Sequence, residues 1–529
     1  MKQYFDSANI AESYSGIVLP LTSSFAKMVY SRVYRDLLKK SGISDKKVES
    51  YRHIFDGLLA FFYGRMYYNM NNWYLMAAFA PGYKANKKNF ERMITSNIKE
   101  EIVTSIKPSL LYRLIYPEIL TYKIITYGYN AKRFKLTVRK KMKALNELDF
   151  ATLSYKECIQ LFDRINKDFL NKWYVAVEND FFVMTYLGIL SKLLTEQEFQ
   201  KVLTFKSKAT EQVQEIIQLS SEMGKVKLLW NAILKNNEKE FWKQLSLNPK
   251  IKRMYKNYSV TFGGRFANEL KLESIGADED ITKLFDTLKM YRNFKIEHSV
   301  QREIGITSRK KMLVQLILGQ FKKYASQREE FRLLRSNTYG LTRKLFRRMG
   351  QILVEKNLIS SIDDVFYLEL NELLSDSILQ NKKLKDIILK RKKIYEEYKK
   401  ITPPSHFETE NNKLPKLTER KTIKTKIIQA RPASPGIIRG KVRVFKDFYM
   451  PDKIDFDILV TSHTDPGWTS LMGLSKGMII EHGGILSHAS IVARELKIPA
   501  VIGAIDAVSF LQNGQIVEID GSTGVIKIL

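Results

Sequence analysis

Apolar residues recur at intervals of three and four through most of the first 400 residues, which is the spacing of one face of an α-helix. Clear examples are Phe25–Lys40, Glu211–Leu229 and Leu313–Val354. The lysine-rich segment 380–400 has the same spacing. The pattern therefore predicts a large, mainly α-helical domain over residues 1–400.

Two short stretches interrupt the helical pattern. Gly16 and Pro20 lie in the first 25 residues, which we expect to be an irregular lead-in because both residue types break helices. Gly64–Asn69 departs from the three-and-four spacing and is predicted to be a short extended piece.

The pattern changes near residue 428. Residues 401–427 are polar and charged, with few apolar positions, which is typical of a linker. Beyond them, short β-rich runs alternate with two helical patterns, Thr469–Leu474 and Ser487–Leu496. The predicted strands are Lys441–Phe445, Ile458–Thr461, Gly477–Ile480, Ala500–Ile502, Ile516–Ile519 and Val525–Leu529. We therefore expect a multidomain chain that ends in a small α/β domain over residues 428–529.

The net charge of +31 belongs to the first part of the chain, since residues 431–529 hold ten basic and ten acidic residues. A basic surface attracts nucleic acid, membranes or anionic small molecules. No nucleic-acid-binding motif is present, so we expect solvated helix faces and no nucleic-acid partner. A nucleic-acid binder with a basic surface stays open as an alternative.

The single cysteine, Cys158, excludes an internal disulfide and a metal site built from thiolates alone. The amino-terminal residues do not have the pattern of a signal peptide. No apolar run is long enough to span a bilayer. A cytoplasmic location without a membrane partner is expected.

One histidine follows a glycine turn. The apolar run Met478–Ile480 predicts a strand, Gly483 and Gly484 permit a tight turn, and Ser487 is a good N-cap residue. His488 would then lie in the first turn of a helix, where free amides and the helix dipole favour anions. A neutral imidazole in that place suits phosphoryl transfer, although such a histidine is also compatible with a purely structural role.

The longer run Gly483–Gly503 resembles the phosphohistidine signature of the PEP-utilising enzymes, the family of phosphoenolpyruvate synthase (pyruvate, water dikinase) and rifampicin phosphotransferase. Further matches follow in the order of the family. They are Ala433–Gly436, Gly440–Val442, Thr464–Pro466, Gly514–Gln515 and Asp520–Gly524. The resemblance is specific and covers residues 430–529.

The resemblance implies that His488 carries the phosphoryl group of a swivelling domain. It implies that other residues of this domain support the phosphate, namely Gly483, Gly484, Ser487, Thr464 and Arg494. The family uses ATP and Mg²⁺ bound by an ATP-grasp domain, and we recognise neither that domain nor a Walker pattern in these 529 residues. A separate ATP-grasp partner is therefore expected to bind both, and this chain is expected to bind no metal.

The helical region resembles the central domain of the family, where an acceptor such as pyruvate or a small-molecule hydroxyl would bind. Arg265 and Glu269 match a family segment in which Gly264 replaces a histidine. Arg265 could hold an anion with Glu269 orienting it, or the two could form an ordinary ion pair on a helix surface. The arginine-rich stretch from Gln327 to Arg347 is predicted to be a solvated basic face.

These features predict a phosphotransferase component similar to phosphoenolpyruvate synthase, and one subunit of a split enzyme. A non-catalytic carrier or regulatory protein remains the alternative to catalysis.

Overall fold

A computed structural model describes residues 2–79, 106, 109–195, 198, 199, 203, 208–276, 279–292, 294, 311–410 and 426–529. Its α-helices are α1 (Pro20–Lys40), α2 (Asp45–Ser50), α3 (Arg52–Asp56), α4 (Met70–Ala77), α5 (Leu110–Asn146), α6 (Tyr155–Asp168), α7 (Tyr174–Leu193), α8 (Lys208–Gly224), α9 (Lys227–Leu234), α10 (Glu238–Ser246), α11 (Pro249–Phe262), α12 (Thr282–Tyr291), α13 (Lys311–Glu355), α14 (Leu370–Leu373), α15 (Leu384–Lys399), α16 (Thr469–Met472), α17 (His488–Leu496) and α18 (Ala507–Phe510).

The strands are β1 (Lys2–Asp6), β2 (Leu59–Phe62), β3 (Arg65–Asn69), β4 (His406–Glu410), β5 (Ile427–Gln429), β6 (Arg431–Ser434), β7 (Ile437–Phe445), β8 (Ile458–Thr461), β9 (Gly477–Ile480), β10 (Ala500–Ile502), β11 (Ile516–Asp520) and β12 (Val525–Ile528). Short 3₁₀ helices lie at Ile10–Glu12, Phe150–Thr152, Leu170–Lys172, Ile362–Tyr367, Ile378–Gln380 and Pro466–Trp468. No helix in these described ranges is long and apolar enough to cross a membrane.

The chain divides into two compact units. The first comprises Met1–Phe181, Leu270–Ser274 and Thr338–Glu419. The second comprises Phe182–Glu269, Ile275–Asn337 and Arg420–Leu529, so it joins part of the helical region to the carboxyl-terminal α/β region.

In the first unit, α1 buries an apolar stripe that includes Leu21, Phe25 and Val29. The ring of Phe25 meets that of Tyr339 edge-on at 5.2 Å between centroids. A four-stranded antiparallel sheet has the order β2-β3-β1-β4. Its hairpin between β2 and β3 turns at Tyr63 and Gly64, whose φ angles of 49° and 67° fit the two-residue turn that matches strand twist.

In the second unit, helices α8 to α12 enclose one apolar core. Representative members are Ile216, Leu229, Phe241, Phe285 and Tyr291, each at most 1% exposed. The core follows from the three-and-four spacing of these helices, whose apolar faces must be covered.

The second unit also contains an eight-stranded sheet of order β5-β12-β11-β7-β8-β9-β10-β6. Its centre, from β7 to β10, is parallel, and the flanking pairs are antiparallel. Strands β8, β9 and β10 are buried on both sides, as their continuous apolar runs require. The loop after β9 and the start of α17 therefore lie at the carboxyl edge of a parallel sheet, where α/β folds place ligands.

The mainly helical character of the first 400 residues and the α/β character of the last hundred are both confirmed. The six predicted strands match β7 to β12 to within a few residues, and the two predicted helices match α16 and α17. The predicted helix 380–400 corresponds to α15, and the extended piece at Gly64–Asn69 contains β3.

Three expectations need correction. The first 25 residues are not irregular, because β1 pairs with β3 and β4, and Pro20 begins α1 at a position where its missing N–H costs nothing. The segment Glu211–Leu229 is two helices, since α8 ends at Gly224. The predicted linker contains β4, and its residues 411–425 lie outside the described ranges, so the domain boundaries at 400 and 428 remain predictions.

The expected solvated basic face is also wrong. None of the residues from Tyr324 to Gly350 on α13 is exposed. Arginine side chains there make contacts in the interior, and Arg343 is 1% exposed. Apolar residues accompany the arginines on all sides of this part of α13, which is the pattern of a buried helix. The prediction of a solvated face considered the arginines alone and was therefore wrong.

Candidate active site

A tight turn carries the chain from β9 into α17. Gly483 has a φ of 138°, which favours glycine, and a Cβ on Gly484 would meet no atom within 4 Å. The Ser487 side chain accepts a hydrogen bond of 3.3 Å from the amide of Ser490 and caps the helix. His488 is therefore the first residue of α17, as the sequence predicted.

The ring of His488 is held by a hydrogen bond at one nitrogen and faces a carboxylate with the other. Its Nε2 lies 2.9 Å from Oγ1 of Thr469, and that hydroxyl donates its single proton to the carbonyl of Pro466 at 2.6 Å. The Thr469 oxygen must therefore accept from Nε2–H. The other nitrogen, Nδ1, lies 3.6 Å from Oε2 of Glu329, and the side chain of His488 is 1% exposed.

Glu329 joins the histidine to two arginines. Its Oε2 accepts from Nη2 of Arg265 at 3.2 Å, and its Oε1 accepts from Nη1 of Arg332 at 3.1 Å. Burial by itself would raise the pKa of the Glu329 carboxyl, but the guanidinium groups of Arg332 and Arg265 hold it well below its usual value. Glu329 is thus a buried, ionised carboxylate beside the candidate nucleophile.

Several buried polar atoms at this place lack hydrogen-bond partners. In the described part of the chain, Nε and Nη1 of Arg265 and Nδ1 of His488 have no hydrogen-bond partner, although all are inaccessible to solvent. An unsatisfied buried donor costs about 1–3 kcal/mol. A group with several anionic oxygens, such as a phosphoryl group, would satisfy the two Arg265 donors together.

Burial lowers the pKa of the His488 ring below its usual value; Glu329 opposes this effect, and Arg265 and Arg332 add to it. The imidazole is therefore neutral near pH 7. A neutral imidazole has the lone pair that nucleophilic attack on phosphorus requires.

Two other residues that were predicted to support the phosphate, Arg494 and Thr464, make no described contact with the His488 ring. Arg494 donates from Nε to the Ala433 carbonyl at 2.8 Å and from Nη2 to the Ile485 carbonyl at 2.6 Å, which fixes the turn before α17. Burial lowers the pKa of Arg494 to about 10. Thr464 is buried after β8. Among the described contacts, the threonine that meets His488 is Thr469 and not Thr464.

The α/β region contacts the helical region through hydrogen bonds and through a close approach of the two backbones. Oδ2 of Asp465 accepts from the amide of Asn268 at 2.5 Å, and Tyr291 donates to the Ser470 carbonyl at 2.6 Å. A Cβ on Gly467 would come within 2.0 Å of backbone atoms of Phe266 and Ala267. Only a glycine permits this approach, so Gly467 sets how closely His488 comes to Arg265 and Glu329.

We expect Gly467→Ala to prevent this seating, because the added methyl group overlaps backbone that cannot move as a side chain can. His488 should then react with diethyl pyrocarbonate, which labels accessible neutral imidazoles, as mass spectrometry would show. Gly319→Ala on α13 is the matched control, since a Cβ there meets nothing within 4 Å. Equal protection of His488 in Gly467→Ala and wild type would contradict the prediction.

Glu269, the other predicted acceptor-binding residue, is buried near this seat. Its Oε1 accepts from the hydroxyl of Ser336. Burial raises the pKa of Glu269 to about 7; Asp465 adds to the rise, and Arg265 opposes it. Glu269 and Arg265 are thus not an exposed ion pair on a helix, because both follow the end of α11 and both side chains are buried.

A carboxyl whose pKa rises on folding contributes most stability below its unfolded-state pKa, and that contribution is lost as pH rises to about 7. Glu269→Gln keeps an acceptor for Ser336 but cannot ionise. We expect it to gain stability relative to wild type between pH 5 and pH 8, by about 3 kcal/mol at about 1.4 kcal/mol per pKa unit. Thermal unfolding across this range would measure the gain, with Glu238→Gln on α10 as an exposed control. A difference that stays constant with pH would contradict the raised pKa.

Within the described ranges, no group of three or more His, Cys, Asp and Glu side chains is placed to hold a metal ion. The site instead offers guanidinium groups, an imidazole and the first turn of a helix, all of which favour an anion.

Sequence reasoning missed Glu329 and Thr469. Glu329 lies at helical spacing from Arg332, and the pair Glu329 and Glu330 among arginines was the available signal. Thr469 followed the recognised Thr464–Pro466 motif, but nothing in its own neighbourhood marked it.

Residues 454–524 match the family model described as "PEP-utilising enzyme, mobile domain". The chain is 30% identical over 235 residues to the rifampicin phosphotransferase of Bacillus cereus, a match that covers 44% of this chain and 26% of that protein. Identity to the rifampicin phosphotransferase of Bacillus subtilis is 29% over 288 residues, which is 54% of this chain and 31% of the relative. The phosphoenolpyruvate synthase of Aeropyrum pernix is 42% identical over 102 residues, 19% of this chain and 12% of the relative.

The chain therefore spans about a quarter to a third of the length of the curated rifampicin phosphotransferases that it matches. The longer of these two matches exceeds the length of the carboxyl-terminal α/β region, so the similarity includes part of the helical region.

Proposed function

Because the chain carries a PEP-utilising mobile domain and is a member of that family, we propose that it is a phosphotransferase component whose His488 carries a phosphoryl group to an acceptor. One observation supports this proposal above the others. A buried histidine at the start of a helix faces an arginine with two unpartnered donors, through a carboxylate that both contact.

The transfer step assigns a role to each residue. The bond between phosphorus and the ring nitrogen breaks as a bond from phosphorus to the acceptor oxygen forms, and the electron pair returns to the imidazole. The acceptor hydroxyl releases its proton to the ring of His488. Glu329 then stabilises the protonated ring. Nε and Nη1 of Arg265 donate to the phosphoryl oxygens, where negative charge is present throughout the transfer.

Thr469 and Arg494 position the histidine. Thr469 fixes the ring through Nε2, and Arg494 fixes the turn that brings His488 to the start of α17. Such positioning lowers the entropy cost of a reaction between two bound groups. Glu329 in turn keeps Arg265 and Arg332 in place.

We propose a small-molecule hydroxyl as the acceptor, with pyruvate as the alternative. The similarity to rifampicin phosphotransferases includes part of the helical region, whereas the similarity to the phosphoenolpyruvate synthase covers 102 residues. We base this choice on the helical region because it supplies Arg265 and Glu329 to the site.

We further propose that the phosphoryl donor is ATP bound with Mg²⁺ by a separate ATP-grasp protein. When bound, the metal would neutralise the phosphate charge at the donor site. The residues of this chain would contribute the nucleophile, and the seat at Gly467 would open to let His488 reach the donor.

The test is to incubate the chain with ATP labelled on its β- and γ-phosphates, Mg²⁺ and, in turn, each ATP-grasp protein of the same genome. We expect acid-labile, alkali-stable label on His488 with one of them. Transfer is then followed after adding rifampicin or pyruvate as acceptor probes. If no ATP-grasp protein labels the chain, the proposal of a split phosphotransferase fails.

Label that stays on His488 with both probes would remove these two acceptors and leave the carrier role intact.

A further inference from the structure

Helix α5 presents an apolar stripe to solvent. Nine large apolar side chains on it are between 46% and 75% exposed, and three of these are Leu110, Leu114 and Ile124. The other six recur at helical spacing along one side of the helix. They are Leu111, Ile115, Tyr122, Ile125, Tyr129 and Leu136. We call this set the α5 stripe. Scattered exposed apolar residues are ordinary, but a row of this length on one helix indicates an interaction surface.

The stripe is not the face by which α5 packs. The buried side chains of the helix begin at Tyr127 and recur at helical spacing on the opposite side. They are Tyr127, Ala131, Phe134, Val138, Met142 and Leu145. The helix therefore has one apolar face that packs within its own unit and a second apolar face, the α5 stripe, that is exposed to solvent.

The spacing of the stripe is that of a coiled-coil seam. Its members follow one another by alternating steps of four and three when Glu118 and Lys132 are counted as the two polar seam positions. A seven-residue repeat of this kind lets the side chains of a partner helix insert between those of α5, as knobs into holes in a coiled coil. A lipid surface needs an apolar sector but no such register, which favours a helix over a membrane.

Charge along α5 defines the partner further. Seven of its nine basic residues lie between Lys132 and Lys143, and that part contains no acidic residue. Among them, Lys132, Arg133, Lys140 and Lys143 are exposed. The seam is thus apolar in its first half and strongly basic in its second.

This polarity argues against a second copy of the chain. A parallel pair would place two basic halves side by side, and an antiparallel pair would place each basic half against an apolar one. A partner helix that is apolar in one half and acidic in the other complements both halves of α5 at once.

We propose that the α5 stripe is the docking site for an amphipathic helix of a partner protein, with apolar seam residues followed by a block of aspartates or glutamates. This inference is independent of the proposed function, because the helix belongs to the first unit and His488 to the second. Apolar burial would supply affinity, and the basic half would set orientation and salt dependence.

The probe is a synthetic four-heptad helix with leucine in the seam and a glutamate block over two heptads, made in both chain directions. Fluorescence anisotropy should show binding of one direction by the intact chain, weakening as salt rises. Ile125→Lys and the triple charge reversal Lys132→Glu, Arg133→Glu and Lys140→Glu should each weaken binding at least tenfold. These positions are exposed, so folding should be kept, as circular dichroism would verify.

A control peptide with lysines in place of the glutamates should bind the triple variant better than wild type. Several results would overturn the proposal. They are equal binding of both peptides to wild type, no binding of either acidic peptide, and a dimer in analytical ultracentrifugation that Ile125→Lys dissociates. Binding of wild type to phosphatidylserine vesicles in preference to the acidic peptides would also overturn it.

Discussion

His488→Ala should lose all acid-labile phosphorylation from ATP and the ATP-grasp partner, a fall of at least a thousandfold. The substituted side chain has no nucleophile, and no other histidine of the α/β region begins a helix after a glycine turn. Mapping of phosphohistidine by mass spectrometry at alkaline pH measures the result. The fold should survive, because the buried ring is replaced by a residue that favours helices.

The chain offers two matched controls in the same region. His463 follows β8 and His482 follows β9, and neither is preceded by the glycine turn. His463→Ala and His482→Ala should keep at least part of the wild-type label. Wild-type labelling of His488→Ala would sink the assignment of the carrier residue and, with it, the proposed phosphotransferase.

Glu329→Gln should lower the free energy of unfolding by about 3–5 kcal/mol, the usual cost of removing one partner from a buried ion pair. Arg265 and Arg332 would then be two charges without their common carboxylate. Thermal unfolding, with Glu396→Gln on the exposed face of α15 as control, measures the loss. The double variant Arg265→Met with Glu329→Met should recover much of the stability and still fail to transfer the phosphoryl group.

Two outcomes would count against this interpretation of Glu329. One is a Glu329→Gln variant as stable as wild type, which would mean that the arginines find other partners. The other is a double variant that transfers at the wild-type rate, which would remove Arg265 from the reaction.

The sequence predicted the α/β region closely because its signals are local. Short apolar runs, glycine turns and the Ser487 cap each depend on a few neighbouring residues, and they give β8, β9, β10 and α17 almost to the residue. His488 was found for the same reason, since its place at a helix start is readable from the ten residues before it.

The partners of His488 were not predictable in this way. Glu329 comes from α13 and Arg265 from the turn after α11, at separations of 159 and 223 residues along the chain. Only tertiary packing joins them. The arginine-rich part of α13 was interpreted as solvated because charge is usually exposed, a rule that fails where carboxylates and carbonyls are available inside.

The departure from the family pattern at Gly264 has a physical account. A Cβ at this position would lie 2.5 Å from Oδ1 of Asn337 and 3.3 Å from its Cα. A histidine there would displace the Asn337 side chain and press on the backbone of α13 at that residue. Gly264 and Asn337 are therefore coupled in this chain, and restoring the histidine alone should not restore a family-like site.

The burial of His488 also bears on the lifetime of its phosphorylated form. A phosphoramidate bond hydrolyses when water reaches the phosphorus, and in the seated arrangement 1% of the histidine is open to solvent. Under the proposed function, wasteful loss to water would occur chiefly during the intervals when the mobile region is away from its seat. The tightness of the contact at Gly467 would then set how much of the ATP energy is conserved while the protein waits for its acceptor.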